Sequence, residues 1–154
     1  MYSKILVPID GSDTAALGLA EAMRLARLSG GSIQLLNVID TLALAMSLGC
    51  AYIHTQEVID QLKQGGQDVL AHARATVEAA GVPVETELHD AMTQRVSDVV
   101  VDQARSWGAE IIVIGTHGRR GVRRALLGSD AEQIVRLAPM PVLLVRGPGE
   151  APAG

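Results

Sequence analysis

The chain has 154 residues, 48% of them hydrophobic, and 13 Lys and Arg against 17 Asp and Glu leave a formal net charge of −4. A chain of that length suits one domain that hides roughly 70% of the surface its unfolded form exposes, and its acidic balance excludes a surface built throughout for nucleic acid or an anionic membrane. Cys50 is the only cysteine, which excludes an internal disulfide framework or a zinc cluster of several thiolates and fits a reducing, cytoplasmic setting.

The first stretch, "MYSKILVPID", carries no basic region followed by a long apolar run, so no secretory signal is expected in it. Within it "KILVPI", residues 4 to 9, is a short apolar strand that stops at Asp10-Gly11-Ser12. Ser12 is placed to cap the helix that follows, with Asp13 in its first turn and Gly30-Gly31 ending it. "SIQLLNV", 32 to 38, reads as the second strand. The apolar segment 41 to 53 is far short of the roughly 20 residues of a membrane span and reads as a loop or short helix between Asp40 and His54.

Thr55 and Glu57 open a long helix to Ala80, in which Gly65-Gly66 is a point where it can bend or thin. "PVETEL" after Gly81-Val82 alternates with period two, as a strand near the sheet edge does. A third helix spans Thr93 to Trp107, and "AEIIVIG", 109 to 115, is the most hydrophobic strand, expected inside the sheet. Ser129 is read as the cap of a last helix, with Asp130 and Glu132 in its first turn, and "PVLLVR", 141 to 146, as the fifth strand. Strands alternating with helices imply a parallel sheet covered on both faces. The domain is expected to occupy 1 to 146, and the apolar-poor tail 147 to 154 to be disordered.

In a doubly wound sheet of order 3-2-1-4-5, ligands enter where strands 1 and 4 diverge at their carboxyl ends. "PIDGS" and "GTHG" line that crevice. Gly115 and Gly118 let backbone N–H groups face a ligand, Gly128-Ser129 supplies a helix N-terminus, and Arg119, Arg120, Arg123 and Arg124 lie between. Alone, each glycine is a tight turn and each arginine a solvated side chain. Together they describe a phosphate cradle.

Gly115, Gly118 and Gly128-Ser129 match the spacing G-x2-G-x9-G-[ST], and with "KILVPIDGSDTA" and "GSDAEQIVRLAPMPVLLVR" the chain resembles the universal stress protein family over nearly its whole length. That resemblance implies a single-domain, Rossmann-like (adenine nucleotide alpha hydrolase-like) three-layer sandwich, with five parallel strands in the order 3-2-1-4-5. It also implies ATP binding and a homodimer through the last strand, Pro141 to Arg146. By the same likeness Pro8 and Asp10 border adenine and ribose, and the Val38 backbone reads the adenine edge. Gly115, Thr116, His117, Gly118, Arg119, Arg120 and Gly121, with Gly128, Ser129, Asp130 and Ala131, match the phosphate segments.

Asp130 departs from the family pattern, which favours a small or apolar residue there. A carboxylate so placed repels phosphates unless it turns away or shares a magnesium ion with them. No phosphate-loop lysine, catalytic base or metal-ligand cluster is visible, and His117 has no carboxylate beside it in sequence. The expectation is therefore a cytoplasmic, ATP-binding stress-response dimer with at most slow hydrolysis. Its rivals are a magnesium-dependent ATPase or phosphotransferase, a nucleotide-independent interaction module, and a binder of AMP or a cyclic nucleotide. No nucleic-acid or membrane partner is expected.

Overall fold

The first strand, β1 (Lys4–Pro8), is buried at Ile5, Leu6 and Val7, so it has to lie inside the sheet rather than at its edge. The computed structural model, which describes residues 1–47, 56–116 and 127–147, places it there. Around it the chain forms α1 (Asp13–Ser29), β2 (Ser32–Ile39), α2 (Thr41–Ser47), α3 (Gln56–Ala79), β3 (Val84–Asp90), α4 (Val96–Trp107), β4 (Ile111–Gly115), α5 (Ser129–Leu137) and β5 (Val142–Val145). The sheet order is β3-β2-β1-β4-β5, every pair is parallel, and the fold is the expected Rossmann-like α/β sandwich.

Because side chains alternate faces along a strand, the two cores separate residue by residue. Ile5, Val7, Ile33 and Leu35 pack with Leu19, Ala22 and Ala26 of α1 and with Leu70, Ala73 and Val77 of α3. Leu6, Leu36, Ile112 and Ile114 pack on the opposite face with Val100, Val101 and Ala104 of α4 and with Ala131 and Ile134 of α5. Residues buried on both faces explain why the inner strands read as continuous apolar runs.

Several boundaries differ from the sequence expectation. The segment after β2 begins as a short helix, α2, one of the two forms expected of it, started by Asp40, whose Oδ1 accepts from the Ala43 N–H at 2.8 Å. Helix α3 runs unbroken through Gly65 and Gly66. The latter is buried because α3 crosses the sheet closely there: a Cβ on Gly66 would stand 2.6 Å from Oδ1 of Asn37 and 2.7 Å from Cδ1 of Leu88. Helix α4 starts at Val96, capped by Arg95 without a side-chain bond, rather than at Thr93. Strand β3 carries on to Asp90, the Ala91 N–H still donates to the Ile39 carbonyl at 2.9 Å, and the helix cannot begin until the chain has left that edge. The expected disordered tail lies outside the described residues apart from Gly147.

Candidate functional site

At the exit of β1 the ladder to β2 continues for one more residue, with the Ile9 N–H donating to the Leu36 carbonyl at 2.8 Å. Pro8, the last residue of β1, is half-buried opposite Leu36. The chain then turns within three residues. Asp10 Oδ1 accepts from the Ser12 N–H at 2.9 Å, Gly11 takes φ 81, and Ser12 Oγ accepts from the Ala15 N–H at 3.2 Å to cap α1. The φ of Gly11 is one that side-chain-bearing residues avoid, and the carboxylate of Asp10 closes an Asx turn. One oxygen of Asp10 thus has a structural duty, whatever else the residue does.

The exit of β4 is organised by close approach. A Cβ on Gly115 would lie 2.5 Å from the carbonyl oxygen of Thr14 and 2.6 Å from its carbon, while one on Gly18 would lie 3.2 Å from the Gly115 nitrogen. The first turns of α1 therefore press against the end of β4, which sets the Asp10 turn beside the start of the glycine-rich segment. Thr116 is buried, its N–H donates to the Val145 carbonyl at 3.0 Å, and its own carbonyl accepts from the Gly128 N–H at 2.8 Å. The segment that leaves at Thr116 thus returns to the same point at Gly128. His117, Gly118, Arg119, Arg120 and Gly121, with Arg123 and Arg124, lie between them, outside the described residues.

Gly128, not Ser129, is the N-cap of α5. It has φ −57 and ψ 149, its carbonyl accepts from the Glu132 N–H at 2.9 Å, and Ser129 is the first helical residue. Ser129 and Asp130 are exposed, whereas the Ala131 side chain is buried in the core shared by α4 and α5. Only the backbone of Ala131 can meet a ligand. Helix N-termini leave N–H groups without intrahelical partners, so the first turn of α5 suits an anion.

Val38 sits half-buried near the end of β2, between Asn37 and Ile39. The sequence reading missed Asn37, which is 6% exposed and donates through Nδ2 to the Ile9 carbonyl at 2.8 Å. A polar residue in the apolar run "SIQLLNVI" is the signal that could have found it, since burying an amide demands a partner. Among the described residues no group of three His, Cys, Asp or Glu side chains is placed to hold a metal ion, and no helix is long and apolar enough to cross a membrane.

A parallel sheet whose order reverses between β1 and β4, with a tight helix entry after one strand and a glycine-bounded excursion after the other, defines the Rossmann-like class that takes ligands at the switch point. The family model for the universal stress protein family matches residues 1–146, and the chain belongs to that family. It is 32% identical over 149 residues to universal stress protein MJ0531 of Methanocaldococcus jannaschii, covering 96% of this chain and 84% of that protein. Among solved structures it superposes on protein MJ0577 of the same organism with a TM-score of 0.82, at 26% identity over 96% of this chain and 97% of that one. A universal stress protein from Archaeoglobus fulgidus, solved in complex with dAMP, matches with a TM-score of 0.66 at 25% identity, covering 93% and 97%.

Proposed function

We propose that this protein is a cytoplasmic, dimeric stress-response regulator that binds ATP where β1 and β4 part, and that its bound state, rather than turnover, carries its output. The observation that supports this most is the convergence of the two strand exits: Thr14 of α1 lies against Gly115, and Gly128 returns to Thr116. The A. fulgidus relative in complex with dAMP adds an adenine nucleotide held by the same fold. In this reading Pro8 and Asp10 border the adenine and ribose, with the Asp10 carboxylate accepting from ribose hydroxyls, and the Val38 backbone meets the base. The amides of Gly115 to Gly121 and Ser129 to Ala131, begun by the Gly128 cap, surround the phosphates, and Arg119 and Arg120 supply positive charge. A small side chain at Ala131, turned into the core, fits a backbone that must come close to phosphate oxygens. Magnesium would be held through the phosphates, with Asp130 the nearest carboxylate in sequence to their cradle.

The dimer is supported by the free edge of the sheet. Strand β5 is terminal in the order, and Leu143 and Leu144 are each 36% exposed, an apolar edge of the kind that a second copy covers. Leu143→Lys is expected to give a monomer by light scattering.

The deciding experiment is the nucleotide content of the purified protein, followed by calorimetric titration of the stripped protein with ATP, ADP and AMP, with and without magnesium. Copurified ATP or micromolar binding supports the proposal, and no binding of any adenine nucleotide overturns it. A monophosphate preference is the second reading, favoured by Asp130 and Glu132, two exposed carboxylates in the first turn of α5. If Asp130 repels the outer phosphates, Asp130→Ala tightens ATP more than AMP. If it shares magnesium, the same change weakens ATP only when the metal is present.

A further inference from the structure

The Ile9 N–H donates to the Leu36 carbonyl. In a parallel ladder the residue that donates to one position on its neighbour accepts from the residue two places further on. The regular donor to the Ile9 carbonyl is therefore the N–H of Val38. That carbonyl is taken instead by Nδ2 of Asn37, at 2.8 Å.

Backbone polar groups of successive strand residues face alternate neighbours. The Leu36 carbonyl faces β1, and the Ile39 carbonyl faces β3, where it accepts from Ala91 at 2.9 Å. Val38, two places after Leu36, thus turns its N–H and C=O toward the side that β1 vacates when it bends away at Asp10. A neighbouring donor and acceptor of this kind complement adenine, whose edge sets an amino donor beside a ring-nitrogen acceptor. Gly66 completes the arrangement. With a Cβ there 2.6 Å from Oδ1 of Asn37, the amide could not stay where it is, whereas a Cβ on Gly65 would meet nothing within 4 Å.

We infer that Asn37, given room by Gly66, is a positioning residue for nucleobase recognition: its side chain closes the last rung between β1 and β2 and so spares the Val38 backbone for the base. The ligand half of this inference rests on the nucleotide reading above, and the rung itself on the geometry of β1, β2 and α3.

Asn37→Leu keeps the size of the side chain and removes its donor. The Ile9 carbonyl, buried without a partner, then recruits the Val38 N–H. The test compares dissociation constants for AMP and IMP, whose base carries a carbonyl and a ring N–H where adenine has an amino group and an acceptor. Wild type is expected to prefer AMP by about tenfold or more, and Asn37→Leu to bring the ratio to within about twofold through loss of AMP affinity. A merely structural lesion weakens both ligands alike, so an unchanged ratio overturns the inference. Gly66→Ala displaces the same amide without removing it and should lower the ratio too, which keeps the test decisive if Asn37→Leu fails to fold. Gly65→Ala should leave the ratio alone.

Hydrogen exchange of the nucleotide-free protein reads the rung directly. The Val38 amide is expected to exchange at least about tenfold more slowly in Asn37→Leu than in wild type as it joins the ladder. If wild type binds neither nucleotide, the nucleotide reading fails on its own. Exchange then decides the rung, and an unchanged Val38 rate overturns it.

Discussion

The two strand ends that meet at the switch point are built by different means. At β1 the chain is turned by side-chain hydrogen bonds: Asp10 to the Ser12 N–H, Ser12 to the Ala15 N–H, and Asn37 to the Ile9 carbonyl. At β4 the chain is held by closeness, with Gly115 against the Thr14 carbonyl and Thr116 bonded through its backbone to Val145 and Gly128. The first end fails on loss of a polar atom at Asp10, Ser12 or Asn37. The second, where Gly115 lies against the Thr14 carbonyl, fails on added volume. A ligand site framed by both is thus exposed to two kinds of substitution that can be made separately.

The sharpest break is Gly115→Ala. Its Cβ would meet backbone atoms of Thr14, which cannot rotate aside as a side-chain tip can. The substitution is expected to destabilise the protein by about 3 kcal/mol, the upper part of the usual range for overpacking, measured as a lower midpoint in urea. It should also push α1 away from β4 and weaken nucleotide binding. A stable Gly115→Ala protein would show that the two exits are less tightly joined than their contacts indicate.

Asp10→Asn acts at the other end. It keeps an oxygen for the Ser12 N–H, so the Asx turn and the urea midpoint should survive, while the negative charge that the proposed function sets against ribose hydroxyls is lost. Affinity for AMP is expected to fall about tenfold, since hydrogen bonds to charged groups contribute about 1.5–3 kcal/mol. The effect should vanish with a 2′,3′-dideoxy analogue. Ser12→Ala is milder still: α1 loses its cap, costing about 1 kcal/mol, and affinity should fall only as far as the turn loosens.

The difference between the two ends also explains what could be seen in the sequence. The β1 exit is local: Asp10-Gly11-Ser12 carries its turn and cap chemistry within three adjacent residues, and the cap on Ala15 is where it was expected. The inner strands were legible because burial on two faces leaves little but apolar residues. Asn37 was not, because its partner lies 28 positions away and nothing adjacent names it. Gly66 looked like a flaw in a helix, since the side chains it makes room for, Asn37 and Leu88, belong to other elements. Serine is a good cap, which makes Ser129 the residue the sequence favours there. The backbone of Gly128, fixed by its bond to Thr116, takes that position first. The motif spacing marks Gly115 and Gly128 as the ends of the proposed cradle, while the arginines between them lie outside the described residues.

The smallest expected effect lies at the far end of the same two strands. Glu110, just before β4, accepts from the Ser3 N–H and from Ser3 Oγ, both at 2.8 Å, and so ties the start of β4 to the start of β1. These bonds, the backbone one first, outweigh the opposing loss of hydration and, with help from the positive amino terminus and Lys4, hold its carboxyl below the ordinary glutamate range. A group whose pKa is lowered by folding stabilises the folded state when ionised. The contribution is complete above the ordinary glutamate pKa of about 4.3, fades as the pH drops below it, and is gone beneath the lowered folded value. Glu110 is fully exposed, so the effect is slight. Glu110→Gln should flatten this acid limb of the stability profile and leave AMP affinity at neutral pH unchanged. The proposed site lies at the opposite ends of β1 and β4, and a strand tied at both ends does not transmit the loss of one exposed bond along its length. If affinity fell as well, the register of β1 against β4 would have to be set from both ends, and the polar and steric exits would no longer be independent.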